Sequence, residues 1–313
     1  MTDSPQLPLP EPLSRLLPWL VMLVTPLFFS SNLIFGRYAI SEVAPFTLAF
    51  LRWGLSALVL LPVVISAGPR ARAYVTGETS HWLLMGLLGM VVCGAGVYVA
   101  LQYTTATNGT LIYTTAPLMI LAIERLFYGR ATSWRELVGI VLGFSGVAII
   151  VMRGDPSALA GNAFNLGDLM FVGAALAWAV YSVLLRGPRT AGLPVLALFG
   201  LAAISGTLLL APFAAWEYLT GARMPVTWSA WSGIAGIVVF ASLLAFSGFQ
   251  YGVARLGAST AGVFMYLLPP FGVGMAVLVL GEPFERHHAI GIATVLGGLV
   301  LATFRWPRRM RPV

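Results

Sequence analysis

Apolar runs about 20 residues long recur from near Trp19 to Phe304 with only short polar gaps, and they constrain this chain more than any motif. A run of that length crosses a bilayer as a helix, because the hydrocarbon core is about 30 Å thick and a helix rises 1.5 Å per residue. The pattern predicts spans near 18–38, 45–66, 81–103, 107–128, 135–152, 167–186, 195–216, 229–253, 258–281 and 287–304. A spanning barrel strand needs only about 10 residues that alternate in polarity, whereas these runs are continuous. With 58% apolar and 9% charged residues, the chain cannot cover a soluble exterior with charge but suits one that faces lipid. The expected fold class is all-α integral membrane, with ten transmembrane helices in one membrane body.

All 18 basic residues are arginine, and they are scattered between apolar segments. A formal charge of +7 without a basic stripe therefore predicts no nucleic-acid partner. With the N-terminus in the cytoplasm, that side holds Arg15, Arg70, Arg72, Arg125, Arg130, Arg135, Arg186, Arg189, Arg255, Arg305, Arg308, Arg309 and Arg311. The other side keeps Arg37, Arg153, Arg223 and Arg286, with Glu42, Asp155, Asp168, Glu217, Glu282 and Glu285, while Arg52 lies inside a span. The positive-inside rule then puts both termini in the cytoplasm, which requires an even number of spans. Trp19, Trp82, Trp134, Trp228 and Trp306 fall at expected span ends, as an interfacial aromatic belt places them. Glu11 and Arg15 precede the first run and no small-residue cleavage site follows it, so it reads as a retained span.

The chain aligns with itself at a shift of about 150 residues. Arg37 matches Arg186 and Pro45 matches Pro194; Pro117, Gly129, Gly139 and Gly146 match Pro269, Gly281, Gly291 and Gly298; Gln102 matches Gln250 with a slightly shorter shift. Five spans per half is an odd number, so the second half must insert upside down relative to the first, the plan of inverted-repeat carriers. The expected organisation is a tail over 1–17, one five-helix repeat over 18–152, an external linker over 153–166, a second repeat over 167–304, and a basic tail over 305–313.

The residues resemble the EamA family of the drug/metabolite transporter superfamily over nearly the whole chain. The resemblance is carried by Asn32 and Gly36, Pro45 with Phe50-Leu51-Arg52, Pro117 and Glu124, Gly167-Asp168 with Ala177-Trp178-Ala179, and Pro269 with Gly281-Glu282. Arg130 stands where an acidic residue after Gly129 would complete the pattern. Within the family the chain is most similar to the bacterial aromatic amino-acid exporters of YddG type. That resemblance implies a multi-pass protein of the bacterial inner (plasma) membrane, a membrane-lipid environment, and export of aromatic and other neutral amino acids. A multidrug or other metabolite exporter of the same fold is the alternative it leaves open. A monomer is compatible with the sequence, which fixes no oligomeric state.

Pro117 and Pro269-Pro270 fall near mid-depth of the fourth and ninth spans, and each proline frees a helical carbonyl. Paired interruptions at matching depth point to a midplane substrate site and to hinges, or to packing kinks satisfied by neighbouring helices. Tyr113 and Met265, each four residues before its proline, join the candidate set. Gly94, Tyr98 and Gln102 share one helical face, as do Ser242, Phe246 and Gln250, and the two stripes correspond under the repeat. Asn32 on the first span aligns with Tyr181 on the sixth, which also carries Trp178 and Ser182. Rings, amides and hydroxyls of this kind suit a zwitterion with an apolar side chain, and equally serve as interhelical glue. Arg52 must pair or reach water: it binds a substrate carboxylate, or helix-end carbonyls, or a loop carboxylate.

Cys93 is the only cysteine and lies within an apolar run, so no disulfide framework or metal cluster is expected, and no cofactor. No H-E-x-x-H and no G-x-S-x-G occurs, which argues against an enzyme. A channel or receptor would give no reason for inverted halves. No acidic residue falls at mid-span, so the expectation is facilitated export or weakly coupled exchange rather than a carboxylate proton relay.

Overall fold

The computed structural model describes residues 11–32, 35–36, 39, 41–155, 165–280 and 283–303. Every regular element among them is helical. In chain order they are α1 (Glu11–Ser30), α2 (Pro45–Ser66), α3 (Gly68–Gly77) and α4 (Thr79–Ala100), then α5 (Ala106–Tyr113), α6 (Ala116–Tyr128), α7 (Trp134–Val151) and α8 (Leu166–Leu184). The remainder are α9 (Val195–Leu219), α10 (Trp228–Leu256), α11 (Ala258–Phe264), α12 (Leu268–Leu280) and α13 (Arg286–Thr303).

Among the described residues, eight helical stretches are long and apolar enough to cross a membrane: α2, α4, α7, α8, α9, α10, and two that run across breaks, Asn108–Tyr128 and Ala258–Val279. The sequence predicts ten. The first expected span is represented among the described residues by the shorter apolar helix Arg15–Ser30, its far end lying among residues only partly described. The tenth, α13, opens on Arg286, His287 and His288, which dilute its apolar character. The third ends at Ala100 rather than 103. Glu282, Arg37 and the basic tail over 305–313 lie outside the described residues.

Two of the long helices carry a π-helical segment, Leu87–Gly96 in α4 and Ile237–Leu244 in α10. Single-turn π insertions are the usual form, so segments of 10 and 8 residues need side-chain support, and α2 supplies it to both. Trp53 donates its indole N–H to the Met90 carbonyl at 3.1 Å, and Arg52 donates to the Ala241 carbonyl at 2.9 Å. Gly94 makes room for the indole: a Cβ there would sit 2.8 Å from Trp53 Nε1.

Helices from the early and late parts of the chain pack on one another in matching pairs. α7 packs on α13, α2 on α9, α1 on α10, and α8 on the π segment of α4, while α6 meets α11. The α7–α13 contact is a seam of small residues that brings two backbones together, as in other membrane helix pairs. A Cβ on Gly146 would lie 2.6 Å from the Val295 nitrogen, and one on Gly298 would lie 2.5 Å from the Gly143 nitrogen. α2 starts after Ala44, which offers no side-chain cap; Glu217, near the end of α9, does so instead. Its carboxylate accepts from Phe46 N at 3.1 Å, Thr47 N at 2.7 Å and the Thr47 hydroxyl at 2.7 Å. An anion at a helix N-terminus satisfies orphan N–H groups and the helix dipole together, which explains how a carboxylate only 5% exposed is tolerated.

Two stability predictions follow from these contacts. Gly298→Ala should lower the unfolding free energy in detergent by about 1–3 kcal/mol through overpacking. Gly297→Ala, whose added Cβ meets nothing within 4 Å, should stay within about 0.5 kcal/mol. Glu217→Ala should cost about 0.5–2 kcal/mol, the loss of a helix cap, read as a lower thermal midpoint of the purified protein.

Candidate functional site

The fourth and ninth expected spans are each broken just before a proline. α5 ends at Tyr113 and α6 restarts at Ala116, so Thr114 and Thr115 form a turn ahead of Pro117. In the other half, Met265–Leu267 tightens into a 3-10 turn before Leu268, Pro269 and Pro270. Proline lacks the N–H that would continue the ladder and its ring crowds the preceding turn, so each break has a local cause. The Ser30 hydroxyl on α1 donates to the Leu268 carbonyl at 2.8 Å, satisfying one group at the second break.

The breaks flank a cavity of about 740 Å³, a size suited to a small molecule. Asn32, Tyr98, Tyr113, Trp178, Phe246 and Met265 line it, together with Pro117 and Pro269. Its floor is aromatic: Phe246 packs edge-on against Trp53 at 4.8 Å, Phe29 at 5.2 Å and Trp178 at 5.6 Å between ring centroids. The cavity reaches toward Ser41 and Leu101 at the ends of the first and third spans. Away from them, α6 and α11 close together. A Cβ on Gly262 would lie 2.8 Å from Ile120, the Ser259 hydroxyl donates to Glu124, and Arg130 bridges Glu124 at 3.3 Å to Glu136 at 2.8 Å.

Five of the residues that sequence nominated are not on the cavity wall. Gln250 is buried behind it and donates its amide to the Tyr181 hydroxyl at 2.8 Å; Ser182 is also buried and donates to the Trp178 carbonyl at 2.7 Å. These three hold Trp178 and its helix rather than face the cavity. Gln102 does not join its stripe: α4 stops at Ala100, and Gln102 sits exposed in the following turn. Pro270 lies beside Pro269 in the first turn of α12 without lining the cavity.

Arg52, for which the sequence left a substrate carboxylate, helix-end carbonyls and a loop carboxylate open as partners, does line it. The guanidinium is 6% exposed. Nε donates to the Ser242 hydroxyl at 2.7 Å, one terminal nitrogen to the Ala241 carbonyl at 2.9 Å, and the other to the Tyr98 hydroxyl at 3.2 Å. It also lies over the Trp53 ring, 4.4 Å from the centroid, and 5.8 Å from that of Phe246. Ser242 in turn donates to the Ile237 carbonyl at 3.1 Å, five residues back, a spacing that belongs to the π segment. Phe29, Ser30, Cys93 and Tyr266 are further wall residues that sequence reading missed; an aromatic or small side chain on an apolar helix carries no mark of facing a cavity. No cluster of potential metal ligands occurs among the described residues.

Comparison with known proteins agrees with this architecture. An uncharacterized transporter of Archaeoglobus fulgidus is 29% identical over 91% of this chain and 96% of its own length. A probable terminal-alkyne amino-acid exporter of Streptantibioticus cattleyicolor is 25% identical over 71% of this chain and 75% of its own. The biotin transporter of Salmonella typhimurium is 25% identical over 90% and 91% respectively. A solved crystal structure shares the fold at a TM-score of 0.71 and 20% identity, covering 91% of this chain and 97% of that one. The profile of the EamA-like transporter family matches twice, over residues 16–152 and 165–304, and the chain therefore belongs to that family of multi-pass membrane transporters.

Proposed function

We propose that this protein is a secondary carrier of the bacterial inner membrane that exports amino acids, aromatic and other neutral ones, by alternating access around the central cavity. The observation that carries the reading is an aromatic-floored cavity of about 740 Å³ bounded by a helix break in each half of a transporter-family chain. Ten passages in two inverted halves, with both termini cytoplasmic, complete the proposal. Three features support the inverted arrangement: the double family match, the placement of π segments in both α4 and α10, and the reciprocal pairing of early and late helices. In this orientation the cavity leans toward the external side, and the α6–α11 contact closes the cytoplasmic one.

The amino-acid assignment draws on the aromatic floor, on cavity hydroxyls and amides, and on the amino-acid exporter among the relatives. A second reading, export of another metabolite, is favoured by the biotin transporter at comparable identity. Among the described residues no Asp or Glu lines the cavity, which supports transport without a carboxylate proton relay.

Proteoliposome counterflow with amino acids, biotin, nucleosides and cationic dyes should show saturable exchange of neutral amino acids. The rate should be the same with and without a pH gradient; exchange that requires the gradient would overturn the uncoupled reading, and exchange of biotin alone would favour the second. Gln250→Ala should leave the Tyr181 hydroxyl without its partner, costing about 1–3 kcal/mol and lowering transport at equal expression. Gln102→Ala, in an exposed turn, should transport as wild type.

A further inference from the structure

We infer that Arg52 is the anion receptor of the cavity, so that the transported molecule must present a carboxylate or an anion of the same shape. The inference rests on the carrier reading above and names the chemistry of its site.

Arg52 is nine-tenths buried, lines the cavity, and is held only by neutral groups: a hydroxyl from Ser242, a hydroxyl from Tyr98 and the carbonyl of Ala241. No described carboxylate pairs with it. A guanidinium has five N–H donors, and these bonds use three, leaving two unspent. None of the described acidic residues lines the cavity, so among the described residues of the wall the one formal charge is the positive charge of Arg52. An ion in so apolar a setting is costly when uncompensated, and the dipoles and rings around Arg52 offset only part of that cost. An arriving carboxylate completes the compensation. A planar fork of donors accepts it in a geometry that an ammonium head would not.

The rest of the wall fits the remainder of such a molecule. Trp178 and Phe246 offer faces for an apolar side chain, and Asn32, whose Oδ1 has no hydrogen-bond partner among the described residues, offers an acceptor to an ammonium. A cation without a carboxylate would meet a like charge and no acid to balance it. The cavity therefore selects acids and zwitterions over amines.

Cys93 gives a reporter that does not depend on transport, since it is the sole cysteine and it lines the same cavity. The full-length protein would be treated with a small methanethiosulfonate reagent in the presence of phenylalanine, phenylalaninamide, 3-phenylpropionate or phenethylamine, with alanine and alaninamide as an aliphatic pair. The acids should slow modification of Cys93 at concentrations at least about tenfold below those of the matching amides or the amine, a difference of about 1.4 kcal/mol. Arg52→Gln should abolish the acid-over-amide preference, and Arg52→Lys should retain a weakened one. Equal protection by acid and amide, no protection by any acid at millimolar concentration, or an undiminished preference in Arg52→Gln would each overturn the inference. Should Arg52→Gln fail to fold, the wild-type series still decides. Protection by 3-phenylpropionate without phenylalanine would leave Arg52 as the anion receptor and sink the amino-acid reading.

Discussion

Inside a bilayer every polar atom must find its partner in the protein, and here that requirement is met at two adjacent residues of α2. Side chains one position apart on a helix point about 100° away from each other. Trp53 can therefore reach the π segment of α4 while Arg52 reaches that of α10. One helix is stitched in this way to two irregular ones, and Arg52 also lines the cavity. The Glu217 cap fixes the depth of α2, since its three accepted bonds hold the first turn against the end of α9. The π segments and the cap are thus all tied to one helix, α2.

The membrane class, the positions of most spans and both helix breaks were legible in the sequence because each has a local cause. Continuous apolar runs need no tertiary information, and a proline removes a helical hydrogen bond wherever it stands, although Pro26, Pro62 and Pro212 lie within continuous helices. The glycines at 139, 146, 291 and 298 were legible as a repeated spacing, and the structure gives their use in the α7–α13 seam. The π segments were not legible. They depend on partners from α2, and a stripe counted at four residues per turn is displaced once the helix widens.

The site was half legible for the same reason. Tyr98, Tyr113, Trp178, Phe246 and Met265 face the cavity, whereas Gln250 and Tyr181 satisfy each other behind it. Sequence establishes that a buried amide needs company, but it does not say whether that company is a ligand or a neighbouring helix. Arg52 shows the opposite case. Two of its partners, Ser242 and Ala241, come from another part of the chain about 190 residues on, and all three of its described hydrogen-bond partners are neutral.

The pairing of early with late helices has a consequence for how the protein is made. When α7 leaves the ribosome, the helix that will cover its glycine face has not been synthesised, for α13 begins more than 100 residues later. α2 likewise waits for the Glu217 carboxylate, and α4 waits for α8. The first half must therefore reside in the membrane with its packing faces turned to lipid. A membrane tolerates that delay because lipid tails are as apolar as the missing helices, so the unfinished half does not collapse. Packing is then completed only with α13, when tight contact of glycine against backbone replaces lipid along α7.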